Sequence, residues 1–117
     1  MRYITIFILM FPSIALACYP TDGKEIELVG TVVPAVYKTE ENIAHYRALE
    51  FDQAYCFSPD GEISEEEVEV KKVQLIIPDG VVLEVGGKYQ VRGVPFHWHT
   101  GHHYTKIVIS VNQSKKL

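Results

Sequence analysis

Along residues 18–117 apolar and polar side chains alternate with a period of two, which predicts β-strands rather than helices. Glu25 to Val33 alternates around Ile26 and Leu28 and then meets Gly30, where a bulge or bend is expected. Arg47 to Tyr55 sets Leu49, Phe51 and Tyr55 on one face and Glu50, Asp52 and Ala54 on the other. Val68 to Ile77 changes parity at Lys71-Lys72, from Val68 and Val70 to Val73, Leu75 and Ile77, and this slip predicts a bulge or break. Lys88 to His99 and His103 to Asn112 complete the set. Pro59-Asp60-Gly61, Pro78-Asp79-Gly80 and Gly86-Gly87 supply turns between strands. Glu40 to Tyr46 is the only stretch with any helical character. Five strands in so short a chain, with a glycine kink in the first, fit an all-β fold. The expectation is a small Greek-key barrel of the oligonucleotide/oligosaccharide-binding (OB) type. Such barrels usually carry a helix between strands three and four. Pro78 to Gly87 reads instead as turns.

The first 17 residues carry a different pattern. Arg2 precedes a short apolar run, Ile4 to Phe11, and Ala15-Leu16-Ala17 offers a small-x-small cleavage site. This is the layout of a secretory signal peptide over 1–17, leaving 18–117 as one small barrel domain. The run is shorter than the ~20 residues that span a bilayer, and Pro12 interrupts it. Export to the periplasm is therefore expected, without a transmembrane segment in the mature protein. A lipid anchor on Cys18 is the lesser alternative, because Leu16 stands where lipidation prefers a small residue. Two cysteines, Cys18 and Cys56, both follow the cleavage site, and an oxidising compartment favours their pairing. The net charge is −4, and losing Arg2 leaves ten basic against fifteen acidic side chains. That balance argues against a nucleic-acid partner, which calls for a basic footprint.

Chemistry concentrates near the C-terminus. Four of the five histidines, His97, His99, His102 and His103, fall within seven residues. With Thr100-Gly101 as a two-residue hairpin turn, His97, His99, His102 and Tyr104 would share one face, and Trp98 and His103 the other. Two readings stay open. The imidazoles ligate a first-row ion such as zinc, copper or nickel, or they pack on Trp98 and Tyr104 and stiffen the turn. In an OB barrel the loops after strands one and four converge beside the ligand face. Pro34 to Tyr46 reads as the first of these loops, so Tyr37, His45 and Tyr46 should approach the histidine hairpin and flank a ligand together with Trp98 and Tyr104.

The segment Gly93-x-x-Phe96-His97-x-His99-Thr100-Gly101-His102-His103-x-Thr105 resembles the signature of a bacterial exported family, domain of unknown function 4431. Lys72-Val73-Gln74-Leu75, Val29-Gly30-Thr31-Val32 and the contexts of Cys18 and Cys56 extend the resemblance over most of the mature chain. Tyr104 stands where that family has a third consecutive histidine, and Lys106 where it tends to have proline. The resemblance implies an exported β-domain and supplies no activity.

No catalytic constellation is legible. The serines lack a nucleophile-elbow context, and Arg92 to Leu117 contains no Asp or Glu to serve beside the histidines. The acidic run from Glu62 to Glu69 reads as a solvated loop or as a docking surface for a basic protein. The functional expectation is a non-catalytic binding or accessory domain of the cell envelope, holding a metal ion or a small or polymeric ligand at the hairpin. The alternative is an envelope inhibitor or immunity protein that docks a basic enzyme.

Overall fold

Alternation in the sequence becomes alternation in space in a computed structural model that describes residues 18–117. The five strands are β1 (Ile26–Lys38), β2 (Ile43–Phe57), β3 (Val68–Ile76), β4 (Lys88–His97) and β5 (Ile107–Lys116). They close in the order β1-β2-β3-β5-β4, with β3 and β5 parallel and every other pair antiparallel. This is the five-stranded OB-like barrel expected. Leu28, Val32, Leu49, Val73, Val91, Ile107 and Ile109 point inward and make its core. The strand-three-to-four connection is spanned by turns, as expected. The putting of residues 1–17 in a signal peptide lies outside the described residues. No helix among the described residues is long and apolar enough to cross a membrane.

Two glycines let single strands serve two neighbours. β1 pairs with β4 through its first half and with β2 through its second, changing partner at Thr31. At the adjoining Gly30 a Cβ would stand 2.5 Å from the Glu50 carbonyl oxygen and 2.9 Å from Leu49 Cγ. Only a residue without a side chain lets the strand bend that closely over β2. Gly93 does the same for β4, where a Cβ would collide with the Ser110 carbonyl beside a register shift. The slip read at Lys71-Lys72 is an irregularity in the β2–β3 ladder, whose register jumps between Glu50 and Tyr55.

Three local expectations are corrected. No helix forms over Glu40 to Tyr46, and Pro34 to Tyr46 is not a loop. β1 and β2 run through both stretches as a long hairpin, with rungs from Thr31↔Glu50 to Lys38↔Ile43. Cross-strand pairing has overridden the weak local preference. The turn shrinks to residues 39–42, where the Thr39 amide donates to the Asn42 carbonyl at 2.8 Å and the Asn42 amide to Thr39 Oγ1 at 3.1 Å. Thirdly, β4 stops at His97 and β5 starts at Ile107. The tight Thr100-Gly101 hairpin is replaced by a longer loop, residues 98–106.

The cysteine pairing is as expected. Cys18 is bonded to Cys56 near the end of β2, with the Cα atoms 4.6 Å apart. Backbone bonds continue the tie: the Tyr19 amide donates to the Cys56 carbonyl and the Ser58 amide to the Tyr19 carbonyl, each at 2.9 Å. The Tyr19 ring packs on Tyr55 and Phe57, with centroids 5.7 and 5.4 Å away. The segment ahead of β1 is thus fastened to the barrel wall by a covalent bond, a short ladder and an aromatic contact.

Candidate functional site

The ligand face of OB barrels is the outer surface of strands two and three, and here the 98–106 loop folds across it. Register explains how. Val32↔Leu49 faces the core, so the next rungs, Val33↔Ala48 and Ala35↔Tyr46, face outward. Ala48 pairs with Gln74 and Gln74 with Val108, which in turn opposes Phe96. This outward row should be wet, yet Ala48 and Val108 are fully buried and Gln74 is 7% exposed. The loop covers it.

Gln74 holds the cover down. Its Nε2 donates to the His102 carbonyl at 3.0 Å, and its Oε1 accepts from the Tyr104 amide at 2.6 Å. The Gln74 backbone amide donates to Thr105 Oγ1 at 2.9 Å, and that hydroxyl donates to the Ile107 carbonyl. A buried amide side chain so satisfied fixes both orientation and position of what it grips. Sequence reading missed Gln74 as a site residue. Its signal was a lone polar side chain inside Val73-Gln74-Leu75-Ile76-Ile77.

Clamping at residues 102–105 delivers Tyr104 between the two strands of the β1–β2 hairpin. Its ring lies 5.2 Å from Tyr37 of β1 and 5.2 Å from Tyr46 of β2, inclined by 29° and 34° to them. Desolvation holds the Tyr46 phenol above its ordinary pKa. Beside this stack, where β2 runs past the end of its ladder with β3, a groove of ≈ 660 Å³ opens. His45, Tyr46 and Arg47 line it from β2, and His102 and Tyr104 from the loop. Arg47 is steadied there by donating to the Leu83 carbonyl at 3.1 Å. His45, remote in sequence, and His102 of the loop line the same groove.

The other histidines go elsewhere. His97 is on the inward register of β4, only 3% exposed, and its Nε2 donates to the Ser58 carbonyl at 2.8 Å. It ties the β4 end to the segment after β2. His99 and His103 pack edge to face at 4.8 Å and both lie against Phe96, at 5.5 and 5.0 Å. The His99 Nδ1–H donates to the His97 carbonyl at 3.1 Å, while the His99 amide donates to His103 Nδ1 at 3.2 Å. His103 therefore accepts at Nδ1 and carries its proton on Nε2. Burial first, then the neighbouring His99 and His102, depress its pKa below the usual 6.5. Trp98 is half exposed and lines a cavity with Tyr37, His103 and Tyr104.

The shared face expected of His97, His99, His102 and Tyr104 is therefore not formed. It required strand alternation through Trp98 to Tyr104, and the chain leaves the ladder at His97. His97, the His99–His103 pair and His102 occupy three different environments. Among the described residues, the cluster of three ligand-type side chains close enough to share an ion is Cys18, Cys56 and Glu67, whose sulfurs are spent in the disulfide.

Neither curated proteins nor solved structures give a match to this chain. Over residues 72–115, from the middle of β3 almost to the end of β5, it matches the model of a family described as domain of unknown function (DUF4431). The matched stretch holds Gln74, the covering loop and the three loop histidines, so the chain resembles that family in the part that builds the groove.

Proposed function

We propose that this protein is an exported, non-catalytic binding domain whose ligand lies in the groove between β2 and the 98–106 loop. One observation carries the reading. Residues from distant parts of the sequence, His45 and Tyr46 of β2 with His102 and Tyr104 of the loop, line one opening at the rim of the barrel, where β2 has left its ladder with β3. The buried Gln74 clamp supports it, because a loop held by a satisfied polar side chain is prepared in advance to bind. The disulfide fits an oxidising compartment. Binding without turnover is supported by the groove's chemistry, since its imidazoles have tyrosine, arginine and glutamine around them and neither a serine nor a carboxylate. Recognition through hydroxyl, imidazole and guanidinium donors suits a hydroxyl-rich or anionic ligand.

The test is a ¹⁵N–¹H NMR titration of protein exported through its own leader and purified oxidised. The probes are cellohexaose, hexagalacturonate, zinc chloride and a lysozyme. Shifts at Tyr46, Arg47, Gln74 and Tyr104 with a saccharide, lost in Tyr104→Ala, are the expected result. Shifts confined to residues 62–69 on adding the lysozyme would instead establish docking of a basic protein on the acidic loop. Zinc shifts without saccharide shifts would make the histidines a metal site.

A further inference from the structure

The disulfide lies outside the groove and has a neighbour that its oxidised form leaves unused. Cys18 and Cys56 are half-buried, so a small reactant can reach them. Glu67, just ahead of β3, sets its Oε2 3.2 Å from Cys18 Sγ. A disulfide sulfur has no hydrogen to give, so the carboxylate meets an electron-rich atom there and gains no bond. Among the described residues Glu67 has no cationic partner either. One ligand atom from each of the three side chains lies within 4.8 Å of the other two. Zinc bound by sulfur at ~2.3 Å and oxygen at ~2.0–2.2 Å holds its ligands about 3.4–3.8 Å apart, so small movements would enclose an ion.

The sulfurs do not depend on their bond to stay together. The Tyr19 amide donates to the Cys56 carbonyl, the Ser58 amide to the Tyr19 carbonyl and Thr21 Oγ1 to the Ser58 carbonyl, each at 2.9 Å. Across the sheet Phe57 pairs with Val68 and Cys56 with Glu69. Cys18, Cys56 and Glu67 each stand at such a backbone contact or one residue from it, and none of these contacts needs the S–S bond. Glu69, opposite Cys56, leaves the sheet on the same face and is in register for a fourth position.

We propose that the reduced protein binds one zinc ion through Cys18, Cys56 and Glu67, in a site that the disulfide closes and a dithiol reductant opens. In the exchange the S–S bond breaks. The reductant gives two electrons and two protons and becomes a disulfide, while Cys18 and Cys56 become thiols. Zinc then displaces both thiol protons to water and bonds the two thiolates and the Glu67 carboxylate. An oxygen ligand in the set favours zinc over copper(I), which selects sulfur. Glu62, Glu65 and Glu66 of the same run add a negative field that draws a cation in. The bound ion takes over the tie between the N-terminal segment and β2 and keeps the thiols from reoxidising.

The test takes the exported protein, reduces it anaerobically with dithiothreitol, removes the reductant by gel filtration and adds zinc chloride. Native mass spectrometry should find one zinc on the reduced chain and none on the oxidised one. Cobalt(II) in place of zinc should give the near-ultraviolet charge-transfer band of metal-bound thiolate. Glu67→Gln leaves both cysteines in place and should weaken zinc at least about tenfold, while the Tyr19 and Ser58 amides keep their protection from exchange. Unchanged zinc affinity in Glu67→Gln would overturn the three-ligand site. Zinc held equally by the oxidised protein, or by the Cys18→Ser/Cys56→Ser double variant, would place the ion elsewhere and overturn it too. So would a reduced chain that takes up no zinc, whether folded or not.

Discussion

Replacing Gln74 by leucine keeps the side chain's approximate volume and removes both of its amide functions. Two partners are then stranded under the loop, the His102 carbonyl and the Tyr104 amide. Each lost bond forfeits about 0.5–1.5 kcal/mol, and a polar group left dry costs about 1–3 kcal/mol. Two such groups would cost about 2–6 kcal/mol if the loop stayed down. The loop has a cheaper course, since lifting off hydrates both groups but exposes Ala48, Val108 and the tyrosine stack. The expected net loss is about 2–3 kcal/mol, against a total stability of about 5–15 kcal/mol for a domain. In a chain of this size that lowers Tm by about 10–20 °C. Denaturant unfolding gives the magnitude, and hydrogen exchange gives the place. The Tyr104 amide should lose most of its protection in Gln74→Leu, while the Val91 amide in the β4 ladder changes only with global stability. Gln74→Glu separates the two bonds, because a carboxylate still accepts from Tyr104 but faces the His102 carbonyl with no donor. Unchanged stability together with an unchanged Tyr104 exchange rate in Gln74→Leu would show that the side chain does not hold the loop.

Other predictions concern the frame around the site. Converting Cys18 and Cys56 together to serine releases a closed loop of sequence separation 38 and should cost about 4 kcal/mol in denaturant unfolding on the chain-entropy model; a loss below measurement would refute the staple's role. Gly30→Ala drives a methyl into the Glu50 carbonyl and Leu49, and about 1–3 kcal/mol of destabilisation is expected, read as a lower urea midpoint. His103 has a folded pKa below its unfolded 6.5, so the unfolded chain takes up the proton first. Stability contributed by neutral His103 is therefore complete above pH 6.5 and declines as pH falls from there toward the folded value. His103→Phe should flatten that part of the pH–stability curve, and an identical slope in the variant would assign the effect to another group.

The barrel was legible because its information is local. Period-two alternation marks Leu28, Leu49, Val73, Val91 and Ile109 as inward whatever lies across from them. Gly30 announces a bend, and two cysteines in a domain expected to be exported announce a bond. The β1–β2 hairpin was half hidden, since Glu40 to Tyr46 has no strong local preference and its strand character comes from rungs such as Val36↔His45. The arrangement of the histidines was not legible. Their alternation was read as if the ladder continued, whereas the loop's path is set by Gln74, some thirty residues earlier on another strand. A polar residue in an otherwise apolar strand carries that information only once the register has shown which face it occupies. That His45 and His102 line one groove follows from barrel topology and not from the turn.

The strand order holds a further consequence for how this protein comes into being. β5 is last in sequence but sits between β3 and β4 in the ring, with a parallel partner on one side and an antiparallel one on the other. Until it arrives, β3 and β4 have no common neighbour, and both show open edges able to recruit other chains. Ring closure is thus a late event that waits on contacts remote in sequence, the kind that makes β-barrels slow to fold. A chain cut before Ile107 would keep the β1–β2–β3 meander and the bond between its cysteines, yet remain an unclosed, adhesive sheet. Losing the last eleven residues would act as the removal of a keystone, while the nine-residue covering loop contributes no strand to the ring.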